Sequence, residues 1–196
     1  MNHFFYFISE PMSQAIQLTF TDKNIDPLKL IKGDLEEYQQ PIEFKQVDGK
    51  KLGDILDAGY PGLYLISKKL QGVLFEKHLT GWRTFPVNVC DKEGYEILGY
   101  QELSVTGRSG PTYYKQSQII EKRRVPTGPI CRFYKGVFVD HWNGTDFFTP
   151  EGTYQIFVTS KTAELLVKNK ITNLCLENLA DSEISVQSVK PEFRLD

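Results

Sequence analysis

Leu65-Ile-Ser-Lys-Lys-Leu-Gln-Gly-Val-Leu-Phe-Glu-Lys-His-Leu-Thr-Gly-Trp-Arg-Thr-Phe85 decides how this chain is read, because a second stretch follows the same plan. Ninety-two residues on, without a gap, stands Phe157-Val-Thr-Ser-Lys-Thr-Ala-Glu-Leu-Leu-Val-Lys-Asn-Lys-Ile-Thr-Asn-Leu-Cys-Leu-Glu177. Lys69/Lys161, Leu74/Leu166 and Thr80/Thr172 are identical. Each stretch runs from a β-branched or aromatic segment through a hydroxyl residue to a helical segment and a polar stop. Ser67 and Thr159 stand where an N-cap accepts a hydrogen bond from the first free helical N–H groups, an interaction of about 1 kcal/mol. Val73-Leu74 and Leu165-Leu166 occupy matching places and are expected to face one core. Gly81 and Asn173 coincide at the stop, where a left-handed C-cap is expected. Two copies are too few for a solenoid. The reading is one domain with two strand–helix–strand units, about 62–90 and 154–180.

Outward from these units the chain reads as strands and turns. Phe4–Ile8 suits a buried strand, and Ile16, Leu18 and Phe20 alternate with polar residues as a half-buried strand does. Residues 22–40 read as loop. Ile42–Val47 alternates again, and Asp48-Gly49 signals a hairpin. Gly53–Ala58 reads as one helical turn. Strands are expected over Phe85–Cys90, within Tyr95–Val105, over Ile130–Tyr134 and Val137–Asp140 with a hairpin at Lys135-Gly136, over Leu174–Leu179 and over Ile184–Val189. The residues 190–196 read as a frayed tail. With no low-complexity linker or compositional break, the whole chain, 1–196, is expected to be a single α+β domain. Within it lie a strand-rich N-terminal segment, residues 1–58, and a core, residues 59–189, on a mixed, mostly antiparallel sheet.

Composition narrows the function. Of 196 residues, 40% are hydrophobic and 13% aromatic, which places the chain among globular proteins. A net charge of −2 lacks the basic excess of a dedicated nucleic-acid binder. Three scattered cysteines, Cys90, Cys131 and Cys175, argue against a disulfide framework and for a reducing compartment. The N-terminus lacks the basic and long apolar regions of a signal peptide, and no run approaches a membrane span. A cytoplasmic protein without membrane contact is expected.

Candidate chemistry is sparse. The histidines, His3, His78 and His141, lie far apart, and no C-x-x-C or H-E-x-x-H pair is present, so no metal or cofactor is expected. No G-x-S-x-G elbow marks a nucleophile. Thr106-Gly-Arg-Ser-Gly-Pro111 is either a tight turn, a partner contact through Arg108 and Ser109, or an anion-binding nest. Trp142-Asn-Gly-Thr-Asp-Phe-Phe148 reads either as a loop stapled to the core or as a recognition loop using Trp142, Asn143 and Asp146. Glu121-Lys-Arg-Arg124 is a solvated charge run or a site for an acidic partner.

The doubled unit, the Gly81-Trp82 junction, Val105–Pro111 and Trp142–Phe148 together resemble immunity-type proteins of bacterial polymorphic toxin and contact-dependent secretion systems. The likeness covers about residues 60–180. It implies a non-enzymatic cytoplasmic protein that binds and neutralises a cognate toxin, with no contact residue carried over. The acid-rich stretch holding Asp34, Glu36 and Glu37 is a candidate contact for a basic toxin cleft. The competing reading is a small anion- or nucleotide-binding domain, or an enzyme, using the Thr106–Pro111 turn.

Overall fold

The computed structural model describes residues 4–10, 14–23, 25–35 and 40–189 of the chain. Glu36, Glu37 and the tail 190–196 lie outside the described residues. The structure mixes α and β and is rich in sheet.

The strands divide between two main layers. Six of them close into a barrel: β2 (Gln17–Phe20), β3 (Ile42–Asp48), β4 (Ile55–Asp57), β5 (Tyr64–Ser67), β6 (Trp82–Cys90) and β7 (Tyr100–Val105), in the order β2-β3-β6-β7-β5-β4. Closure leaves no free edge among these strands. A five-stranded sheet sits beside the barrel and uses β1 (Phe4–Ser9), β8 (Arg108–Ser109), β13 (Phe147–Pro150), β14 (Ile156–Thr159) and β15 (Leu174–Asn178), in the order β15-β1-β14-β13-β8. Smaller assemblies join β10 (Gln118–Arg123), β11 (Ile130–Lys135) and β16 (Glu183–Ser185), and β9 (Thr112–Tyr113) with β12 (Phe138–Val139). Most pairings are antiparallel, as expected; β2/β4, β3/β6 and β8/β13 are parallel.

Helices α2 (Lys68–Glu76) and α3 (Ser160–Lys168) begin where the hydroxyl residues stand. Ser67 Oγ accepts from the Leu70 N–H and Thr159 Oγ1 from the Thr162 N–H. Leu74 and Leu166 are fully buried in one apolar cluster, with Phe7, Phe147, Ile156 and Val158 from the sheet and Ile55, Ile66, Leu103 and Val105 from the barrel. Burying one such side chain contributes about 1.5–3 kcal/mol. A second cluster, with Leu18, Ile31, Phe44, Leu65 and Phe85, fills the barrel.

Several local expectations are corrected. Residues 22–40 contain a helix, α1 (Pro27–Lys32), which buries Leu30 and Ile31 against the barrel. Its signals, Asp26 as N-cap, Pro27 in the first turn and Gly33 as a left-handed C-cap, are compressed into a segment shorter than two full turns. The stretch 53–58 holds no helical turn but a short strand, β4 (Ile55–Asp57), because Ile55 and Leu56 face opposite apolar clusters, a period of two. Asp48-Gly49 turns the chain but makes no hairpin, since β3 pairs with β2 and β6. Lys135-Gly136 is not a hairpin either; β10 and β11 form one around Pro126–Pro129, whose two prolines mark its turn. The left-handed helix stops fall at His78 and Lys170, both with φ of 51°. Gly81 (φ 84°) and Asn173 (φ 58°) stand three residues later, where the chain bends into the next strand.

Candidate functional site

The residues singled out from the sequence fall into a clamp, a turn and a groove. Asp146 belongs to the clamp. Its Oδ2 accepts from the Thr80 N–H (2.9 Å) and hydroxyl (3.0 Å), and its Oδ1 from the Thr159 hydroxyl (3.3 Å). Asp54, which no sequence motif singles out, has the same surroundings. It accepts from the Thr172 N–H (2.9 Å) and hydroxyl (3.0 Å), from Ser67 Oγ (2.8 Å) and from Lys69 Nζ (3.0 Å). Burial alone would raise the Asp54 carboxyl, but the bonds from Thr172, Ser67 and Lys69 outweigh it and hold it below its ordinary value. Each aspartate fastens the loop after the other helix: Asp54 that after α3, Asp146 that after α2.

The Thr106–Pro111 turn is also turned inward. Arg108 Nη1 donates to the Val105 and Gly107 carbonyls, and Nη2 donates to Lys32 O at 2.8 Å and lies 3.6 Å from an Asp34 carboxylate oxygen. Arg108 thereby ties α1 to the end of β7. Ser109 is buried and donates to Gly110 O. An anion at this turn would compete with Asp34 and three backbone carbonyls for the same guanidinium.

Trp142 and Asn143 sit against that turn, where the Asn143 N–H donates to Arg108 O (3.3 Å). Asn143 Oδ1 accepts from the Thr145 hydroxyl (2.7 Å), and Trp142 Nε1 donates to Thr145 O (2.9 Å). The Trp142 ring packs edge-on against Phe4, with centroids 5.2 Å apart, and tilted against Phe148. This is the stapled arrangement. The outer face of the half-buried Trp142 still borders a groove of about 550 Å³.

That groove is what the sequence did not reveal. Its floor and walls come from Tyr113 and Phe138, paired with ring centroids 5.9 Å apart, from Phe4 and Trp142, and from the amides of Gln116, Gln118 and Asn178. Lys135 is its cation. Aromatic faces set among amides suit a protein segment that is partly apolar and partly hydrogen-bonding. The contributors are scattered from residue 4 to residue 180, so no motif announces them.

A different polar group lies inside the barrel. Glu102 is fully buried and accepts from the Ser104 hydroxyl (2.7 Å) through Oε2. Its Oε1, and Nε and Nη2 of Arg83, are buried with no hydrogen-bond partner among the described residues. Burial pushes the Glu102 carboxyl well above its ordinary range, against the pull of Ser104 and Arg83.

Among the described residues no group of three His, Cys, Asp or Glu side chains is placed to hold a metal ion, and the three cysteines are unpaired. No described helix is long and apolar enough to cross a membrane. No protein-family model and no curated protein matches the chain.

Proposed function

We propose that this chain is a non-enzymatic immunity protein that binds a cognate toxin or effector in the cytoplasm and neutralises it by occlusion. The observation that carries the reading is the groove of Tyr113, Phe138 and Trp142. Its aromatic and amide surface is suited to anchor a partner's side chains, and Trp and Tyr dominate the energetics of such contacts. The other polar candidates, Arg108, Ser109 and Asp146, spend their hydrogen bonds inside the fold. Asp34, more than half exposed, remains open to solvent beside Arg108 and is a rim contact in this reading.

The reading includes the two strand–helix–strand repeats, about 62–90 and 154–180, as descendants of one unit. What supports this is the spacing of equivalent contacts. Asp54 and Asp146, Ser67 and Thr159, Lys69 and Lys161, and Thr80 and Thr172 all stand 92 residues apart, and the partners in one set answer those in the other.

The test is co-purification of the tagged chain with the product of the adjacent upstream gene, together with rescue of growth when that product is expressed. Both are expected for the wild type. The exposed edges of the groove allow a double variant, Tyr113→Ala with Phe138→Ala, and it is expected to weaken the complex by about tenfold or more. Absence of both complex and rescue for the wild-type chain removes the reading.

A further inference from the structure

We propose that the ribbon Gln118–Lys135 is a docking arm for an acidic protein segment, which adds as an extended strand along the outer edge of β10. This rests on the reading that the protein works by binding another protein, and it names the chemistry of that partner.

Charge is the first observation. The ribbon carries five cations, Lys122, Arg123, Arg124, Arg132 and Lys135, against one carboxylate, Glu121. That leaves +4 on the ribbon in a chain of net −2, so the remaining residues carry −6. Lys122 is bridged to Glu183, and Arg132 lies 3.9 Å from Glu121. Among the described residues no carboxylate is within ion-pair distance of Arg123, Arg124 or Lys135.

Shape is the second. Every residue from 121 to 127 is exposed, so the ribbon's end projects into solvent. In the sheet order β10-β11-β16, β10 is an edge, and its outer side pairs with no described strand. Charge on an edge normally deters pairing with other chains. Here the charge is predominantly positive, with Glu121 the one carboxylate, so it disfavours basic strands and favours acidic ones.

The third observation is the apolar surface between the cations. On one face Ile119 and Ile130 are exposed, at 36% and 60%, on either side of Glu121, Arg123 and Arg132. Arginine is enriched in protein contacts, and the exposed isoleucines beside it add apolar area to such a surface. The ribbon's two aromatics, Phe133 and Tyr134, are buried, so it offers no rings on which nucleic-acid bases stack. At its base the ribbon runs into the groove, because Gln118 and Lys135 pair with each other and both line it. Arm and groove form one continuous surface.

The experiment uses the full chain and a labelled peptide of alternating threonine and glutamate long enough to span β10. A threonine–lysine counterpart, single-stranded DNA and duplex DNA serve as comparisons. The Thr-Glu peptide is expected to bind, to bind more weakly as salt rises, and to slow amide hydrogen exchange along β10. Arg123→Gln with Arg124→Gln and Arg132→Gln is expected to weaken binding roughly tenfold with the circular dichroism spectrum unchanged. Ile119→Ser, which keeps all charges, is expected to weaken it by a smaller factor. The proposal is overturned if the Thr-Glu peptide does not bind, if the Thr-Lys peptide binds as well, or if either DNA binds more tightly than the peptide. Binding without added protection in β10 overturns the strand geometry. Because growth rescue is scored separately, loss of the arm with rescue intact leaves the immunity reading standing, and loss of rescue with the arm intact removes only that reading.

Discussion

Glu102 and Asp54 are two buried carboxylates driven in opposite directions by what surrounds them. Glu102 has one hydroxyl donor and an orphaned oxygen inside the barrel, so desolvation wins and its proton is held tightly. A folded pKa above the ordinary 4.5 gives stability that is present below that pH and lost as pH rises toward the folded value. Replacing Glu102 with Gln should therefore raise the melting temperature at neutral pH and leave it nearly unchanged near pH 4, a comparison that thermal melts of both proteins at the two pH values settle. For Asp54 the donors win, and its folded pKa lies below the ordinary 3.8. Its stabilisation is present above that value and lost as pH falls through the folded pKa. Asp54→Asn should cost about 2 kcal/mol at neutral pH, and the gap to wild type should close in acid. A pH-independent difference in denaturant midpoint would contradict the role assigned to the charge.

At the scale of elements, legibility in the sequence followed the locality of the signal. Both helix starts are readable because a cap and its N–H partner stand three residues apart. α1 escapes notice because its six residues are too few to display a helical period, although its caps are in view. The two false hairpins come from glycine turns with the correct chemistry but strands that pair elsewhere, a tertiary choice that no dipeptide records. The clamps are half legible: Thr80 and Thr172 stand out by identity, but the carboxylates that grip them lie 66 and 118 residues away. Glycines show the same division. Gly72 lies on α2 with open space where a Cβ would go, so Gly72→Ala should stabilise by about 0.5–1 kcal/mol. Gly81 has φ of 84°, and a Cβ there would fall 2.0 Å from the Phe147 carbonyl oxygen. Gly81→Ala should destabilise by about 3 kcal/mol or more, since backbone must move. Urea midpoints of the two variants on opposite sides of wild type are the expected result.

At the scale of the whole molecule, strand pairing joins the N-terminal segment, residues 1–58, to the core, residues 59–189, that the sequence distinguishes within one domain. β2, β3 and β4 are half of the barrel, and they pair with β5 and β6 from beyond residue 58. β1, the first strand of the chain, lies inside the five-stranded sheet between β14 and β15, strands from the far end. The barrel and that sheet share an apolar cluster in which Phe7 and Ile55 pack with Leu74, Phe147 and Leu166. The Asp54 clamp adds a hydrogen-bonded tie between the same regions. A chain begun at residue 59 would therefore have a barrel opened to two unpaired edges and a sheet with its inner strand removed. Open edges of this kind template association with other chains. The expectation is that 59–189 alone is insoluble or lacks a cooperative melt, whereas the full chain unfolds in one transition with coincident circular dichroism and fluorescence midpoints. Adding a separately expressed 1–58 segment should restore solubility only if the two are present together during refolding, because β1 enters between strands that must otherwise pair or remain open. A soluble 59–189 with a sharp melt of its own would instead mean that the clamps and the shared cluster join two units able to fold independently.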